Sequence, residues 1–206
     1  KLFFYIYLIN MKFLFDLGGV FFDWDPDFFY KKIIKNDDER HMFLTKICNN
    51  DWNIKQDKGR LITDAENELV AKFPKYSYEI KLYYKNHRNM FKKIFAQSVK
   101  VLEFLKYKNI KCYVLSNWSW ETFQNMEKEY PFLNLFDGLI ISGKEQMIKP
   151  DKEIYLLAIN RFNLDPEQTV FIDDKIENIE AAKKLNFKTI HLDKPELIRD
   201  KIKFYI

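Results

Sequence analysis

The chain has 206 residues, with 34 Lys and Arg against 30 Asp and Glu and only two cysteines. A length of that order suits one α/β domain with a small insert and buries a sizeable core. The 47% hydrophobic and 31% charged fractions exclude a disordered chain, and no apolar run approaches the roughly 20 residues of a membrane span. The excess positive charge is spread along the chain and 29 of the 34 basic residues are lysine, which argues against nucleic-acid binding. Cys48 and Cys112 form no C-x-x-C pair, so a reducing, cytoplasmic setting is expected. The aromatic fraction of 17% accompanies abundant Lys, Ile and Asn. All are read from AT-rich codons, so the excess reflects base composition rather than stacking platforms.

Residues 1–10, KLFFYIYLIN, precede a second apolar run that opens at Met11. A start at Met11 with ten upstream residues is the expected reading, the alternative being an apolar segment packed on the domain. A cleaved leader is not expected, because the second run ends in the polar cluster Asp16-Leu17-Gly18-Gly19, which cleavage would remove. Met11–Phe15 reads as a buried strand entering a turn. From about Pro26 to Lys93 no strand is evident. Helices are expected over 27–35, 37–48, 63–73 and 77–90, with a loop at Asn49–Arg60. This stretch is too long for an ordinary crossover and reads as a helical cap inserted after the first strand. Further on, strands over 110–115, 139–142, 169–172 and 188–192 alternate with helices over 97–107, 120–130, 151–162, 178–185 and 195–202. That alternation predicts an α/β fold, a Rossmann-like parallel sheet with helices on both faces. The core is expected over 11–25 and 94–206, and the cap over 26–93.

In a parallel sheet, ligands bind at the carboxyl ends of the strands. Four polar clusters fall there: Asp16 with Gly18 and Gly19, Ser116-Asn117, Lys149-Pro150, and Asp173-Asp174 followed by Asn178. Each alone has an ordinary role as a turn, a helix cap or a solvated charge. Together they place three carboxylates and one lysine in a single crevice, an arrangement that a divalent cation would neutralise. An all-oxygen donor set suits Mg²⁺, and no His or Cys accompanies it to favour zinc. A carboxylate can attack an electrophile, and a phosphate ester best explains the hydroxyl, lysine and metal around it. His41, His87 and His191 are scattered and suggest no triad.

The segments FDLGGVFFDWDP (15–26), VLSNWSWETF (114–123), SGKEQMIKPDKEIY (142–155) and VFIDDKIENIEAA (170–182) resemble the haloacid dehalogenase-like (HAD) hydrolase superfamily. The resemblance is to the branch with a helical cap that includes glucose-1-phosphatase-like enzymes. It implies Asp16 as nucleophile and metal ligand, with the Gly18 carbonyl on the metal. Ser116 and Asn117 would hold the phosphoryl group, and Lys149 would stabilise Asp16 and the phosphoryl oxygens. Asp174 would be the metal carboxylate, Asp173 a lesser candidate for it, and Asn178 an orienting residue. The implied activity is a Mg²⁺-dependent phosphatase of small phosphorylated metabolites, sugar 1-phosphates among them, in a monomer or homodimer. The rivals are a 2-haloacid dehalogenase and a binding module with weak turnover. One position departs from the usual pattern: most phosphatases of this superfamily carry a second Asp two residues after the nucleophile, where this chain has Gly18. Asp23 and Asp25 are the stand-ins that the sequence offers for the missing proton donor. A cap that closes over the leaving group would set specificity. Trp24, Trp52 and Asp57 fall in its expected linkers, and Trp118 and Trp120 follow the Ser116-Asn117 turn, each Trp being open to stacking on a sugar ring or, more ordinarily, to structural packing.

Overall fold

The computed structural model describes residues 11–206; the expectation for residues 1–10 lies outside them. Five strands form one parallel sheet: β1 (Lys12–Phe15), β4 (Lys111–Ser116), β5 (Gly138–Ile141), β6 (Thr169–Asp173) and β7 (Lys188–His191), in the order β5-β4-β1-β6-β7. Alternate residues of each strand enter opposite layers. Phe13, Phe15, Val114 and Ile172 pack on one face, and Leu14, Leu115, Ile140 and Phe171 on the other. Burial of both faces explains why these strands read as continuous apolar runs.

β1 is central, and its register aligns Phe15 with Val114 of β4 and Ile172 of β6. Asp16 therefore emerges between the ends of the two neighbouring strands, and its backbone N–H donates to the Ile172 carbonyl at 2.8 Å. The chain then turns tightly, with the Leu17 carbonyl accepting from the N–H groups of Val20, Phe21 and Phe22. Gly19 has φ +65°, and a Cβ there would come within 2.4 Å of the Asp174 carboxylate, so this position requires glycine on both counts.

The sequence shows no strand after the turn, but the structure adds a two-stranded antiparallel ribbon of β2 (Phe22–Trp24) and β3 (Phe91–Ile94). Between them the chain is helical and has its own buried cluster, which includes Tyr30, Phe43, Trp52, Leu69, Ile80, Tyr83 and Met90. The expected loop at Asn49–Arg60 is instead largely the helix Asn50–Asp57, N-capped by Asn49, whose side chain accepts from the Trp52 N–H. The helix expected over 120–130 is broken into Trp120–Phe123 and Met126–Glu129 by Asn125, which is left-handed at φ +66°. Among the described residues, no helix is long and apolar enough to cross a membrane.

Candidate active site

The ends of β1, β4 and β6 bring Asp16, Ser116 and Asp173 together, and Lys149, from the segment after the helix Ser142–Glu145, completes one buried network. Asp16 Oδ1 accepts from the Ser116 hydroxyl at 2.6 Å and from the Leu17 N–H at 2.7 Å. Lys149 Nζ lies 3.0 Å from Asp16 Oδ2 and 2.6 Å from Asp173 Oδ2. Lys149 and Asp173 are almost wholly buried, at 1% and 0% exposure, so this ion pair is not screened by water. Burial pulls the Lys149 ammonium down, but the carboxylates of Asp16 and Asp173 outweigh it, and the group is held above its ordinary value.

Asp173 and Asp174 are adjacent but face different surroundings. Asp173 accepts from Lys149 Nζ, from the Lys175 N–H at 2.8 Å, and from Asn178 Nδ2, which reaches both of its oxygens at 3.0 Å. Its lone pairs are thus already engaged in holding Lys149. Asp174 is only half-buried and lines the cavity above the network. Asp16, Asp173 and Asp174 each offer an oxygen within 4.8 Å of the others. These three negative charges face one buried lysine, which leaves a deficit of two positive charges. That deficit, the hard oxygen donors and the glycine that lets Asp174 approach the turn fit a small divalent cation.

Asn117 is bound to the lysine segment rather than free. Its side chain accepts from the Lys149 N–H and donates to the Lys149 carbonyl, both at 2.9 Å. Asn178 is buried and anchors Asp173 as described, while its own carbonyl accepts from the Tyr155 hydroxyl at 3.0 Å. Asp23 lies on β2 and lines the cavity. Asp25 instead caps the helix Pro26–Tyr30 and pairs with Lys92 at 2.7 Å.

A cavity of about 330 Å³ opens over Asp16, Gly18, Asn117 and Asp174. It is also lined by Phe22 and Trp24 of β2, by Asn50, Asn53, Ile54, Asp57 and His87 from the segment between β2 and β3, and by Trp118. Trp52 does not reach it: its indole is packed in the helical cluster and donates to the Ala65 carbonyl at 3.3 Å. Trp120 lies under Lys144, whose Nζ is 4.8 Å from the ring centre. His41 is exposed, and His191 Nε2 sits 2.9 Å from the Asp174 carbonyl oxygen. Asn53 and Lys175 are cavity residues that the sequence did not single out, and His87, one of three histidines that suggest no triad, lines the cavity with them. Only a helical reading of residues 50–57 would have placed Asn53 and Asp57 on one face, four residues apart.

Burial pushes the Asp16 carboxyl up to about 7, against the pull of Lys149 and with the repulsion of Asp173 and Asp174. Burial also pushes Asp57 up to about 7, against Lys175 and the Ser119 N–H. The sign of the consequence is fixed. Between about pH 4 and 7 the unfolded chain has released these protons while the native state keeps them, so native stability falls as pH rises through that window. The carboxyls held low, such as Asp27 and Glu68, lose their contribution only at more acid pH and do not offset the effect. The metal-free protein is therefore expected to be more stable at pH 5 than at pH 8, by an amount on the order of a few kcal/mol. Mg²⁺ is expected to stabilise it more at pH 8. Calorimetry at both values, with chelator and with Mg²⁺, checks this; a Tm insensitive to both would count against the charge deficit.

A parallel five-stranded sheet carrying carboxylates at its central strand ends, roofed by a helical segment, is the architecture of a HAD-like hydrolase. The chain belongs to the haloacid dehalogenase-like hydrolase family, whose sequence model matches residues 46–192. It is 26% identical to a sesquiterpene phosphatase of Aspergillus oryzae over 180 residues, 87% of this chain and 88% of that protein. It is 23% identical to a phosphorylated carbohydrates phosphatase of Thermotoga maritima over 183 residues, 86% of this chain and 82% of that protein. Among solved structures, a HAD family enzyme from Bacteroides thetaiotaomicron in complex with magnesium and inorganic phosphate superposes with a TM-score of 0.68 at 23% identity, covering 87% of this chain and 92% of that one.

Proposed function

We propose that this hydrolase is a Mg²⁺-dependent phosphatase of small phosphorylated metabolites that works through an aspartyl phosphate on Asp16. The observation that carries the reading is the Asp16 carboxylate itself. It is held at the cavity floor by Ser116, the Leu17 N–H and Lys149, with a second carboxylate, Asp174, beside it. Asp16, Asp174 and the Gly18 carbonyl would hold the Mg²⁺. When bound, Mg²⁺ supplies positive charge to the Asp16 carboxylate and to phosphoryl oxygens. Asp16 then attacks phosphorus in its charged form. Lys149, fixed by Asp173, offsets charge at the attacking group. With its side chain tied to Lys149, Asn117 offers the phosphoryl group its backbone N–H. The names of the Aspergillus and Thermotoga relatives and the phosphate complex of the Bacteroides enzyme support the same chemistry.

The segment 26–93 would act as a cap over the leaving group, with 11–25 and 94–206 as the core. A cavity of about 330 Å³ suits a leaving group of sugar size. Two residues of its wall each carry a buried nitrogen without a hydrogen-bond partner, Trp24 Nε1 and His87 Nδ1. Both cysteines are free and buried, in keeping with a reducing, cytoplasmic setting.

Hydrolysis of 4-nitrophenyl phosphate with Mg²⁺ and with chelator, beside chloride release from 2-chloropropionate, tests the reading. Phosphate release is expected to fall at least about a hundredfold on chelation, given the several kcal/mol a metal supplies to such a transition state. Chloride release independent of Mg²⁺, without phosphate release, would replace the phosphatase with the dehalogenase.

A further inference from the structure

A phosphate ester with a poor leaving group needs a proton on the departing oxygen. At Gly18 there is room for a donor but none is present: a Cβ there would meet no atom within 4 Å. Asp25 is turned away into its helix cap and its pair with Lys92. The helical segment that lines the same cavity as Asp16 does carry a carboxyl, that of Asp57, at the last position of the helix Asn50–Asp57.

Asp57 is held where the helical segment meets the core. Its Oδ2 accepts from Asn53 Nδ2 at 3.0 Å, and its backbone carbonyl accepts from the Ser142 hydroxyl at 2.5 Å. Two residues on, Gly59 has φ +100°, and a Cβ there would stand 2.9 Å from the Gly143 carbonyl oxygen, so the chain is pressed against the core at this point. A carboxyl placed this way is fixed before substrate arrives.

We propose that Asp57 is the acid that protonates the leaving oxygen and the base that activates water, in place of the residue missing at Gly18; this rests on the phosphatase reading above. In the first step an Asp16 oxygen bonds to phosphorus and the P–O bond to the leaving group breaks. Its electron pair stays on the leaving oxygen, which takes the Asp57 proton and departs as an alcohol. In the second step water attacks phosphorus and gives a proton to the Asp57 carboxylate. The P–O bond to Asp16 breaks, and phosphate, the Asp16 carboxylate and the Asp57 acid are restored.

The surroundings suit an acid that is protonated near neutrality. Burial pushes the Asp57 carboxyl up to about 7; Lys175 and the Ser119 N–H pull it down and the Asp16 charge adds to the rise. Asp23 and Asp174 line the same cavity. Tyr83 and Tyr84 lie on its helical side, with hydroxyls that burial keeps from ionising. Burial pushes His87 down to about 3, so it stays neutral and contributes no competing charge.

The test compares 4-nitrophenyl phosphate, whose leaving group needs no proton, with glycerol phosphate, whose leaving group does. Wild-type hydrolysis of the aryl ester with Mg²⁺ comes first; its absence would defeat the phosphatase reading and Asp57 with it. Given that activity, Asp57→Asn is expected to lower kcat/KM for the alkyl ester by about 10²–10⁴-fold, the usual worth of general acid catalysis. For the aryl ester kcat/KM should change less than about tenfold, while kcat falls and a burst appears, because dephosphorylation loses its base. Asp57→Glu should recover part of the alkyl rate, as should Gly18→Asp introduced into the Asp57→Asn protein. Equal losses on both esters, no loss on either, or a selective alkyl loss in Asp23→Asn instead would overturn the role of Asp57. Should Asp57→Asn fail to fold, the wild-type pH profile decides. Alkyl kcat/KM falling above about pH 7 while aryl kcat/KM does not supports the proposal, and parallel profiles overturn it.

Discussion

Asp16→Asn is expected to lower kcat/KM for an aryl phosphate by at least about a thousandfold, the scale of losing a covalent route. The substitution keeps the shape of the side chain and removes its attacking charge. It also disturbs the hydrogen bonding. The Ser116 hydroxyl and the Leu17 N–H donate to Oδ1, and Lys149 donates to Oδ2. An amide oxygen can satisfy one side only, so the amide NH₂ must face a donor on the other. The fold itself should survive, because Lys149 keeps Asp173. After acid quench, labelled phosphate should remain on the wild-type protein and be absent from the variant. Near-normal turnover in Asp16→Asn would end the aspartyl-phosphate mechanism.

The adjacent carboxylates should give opposite results. Asp173→Ala strips a buried ammonium of its shorter carboxylate contact and leaves the Asn178 amide and the Lys175 N–H without their acceptor. Breaking one side of a buried ion pair costs about 3–5 kcal/mol. In a domain of this size that corresponds to a fall in Tm on the order of 10 °C. Asp174→Ala removes a half-buried carboxylate that burial and the Asp173 charge hold above its ordinary value. Its loss should change stability by less than about 1 kcal/mol. It should, however, abolish both activity and the rise in Tm that Mg²⁺ produces in the wild type. Paired melting curves with and without Mg²⁺ separate the two residues. A stable Asp173→Ala protein that no longer responds to Mg²⁺ would move the ion from Asp174 to Asp173.

The strand ends could be read from the sequence because the determinants are local. Apolar runs of four to six residues stop at polar turn residues, and in a parallel sheet every such stop falls on the same edge. Asp16, Ser116 and Asp173 meet for that reason, although Asp16 and Ser116 are 100 positions apart, and Lys149 joins them from the segment after the helix Ser142–Glu145. The glycine at Gly19 was likewise visible as a turn. The ribbon was not, since β2 has three residues and β3 is mostly exposed, so neither shows a clear pattern.

Which of two neighbouring aspartates holds the lysine depends on tertiary packing. Successive side chains at a strand end point to opposite sides, and only the placement of Lys149 and Asn178 from other segments puts Asp173 inside and Asp174 in the cavity. The helix Asn50–Asp57 was hidden for a related reason. Its buried residues are Trp52, Asn53 and Gln56, mostly polar, so no apolar stripe announces it. Gln56 Nε2 donates to the Trp52 carbonyl and the Tyr84 hydroxyl, and that hydroxyl donates to Asn53. A face buried through hydrogen bonds to a distant helix has no signature in its own sequence. The position of Asp57 over the cavity was therefore decided by the tertiary fold alone.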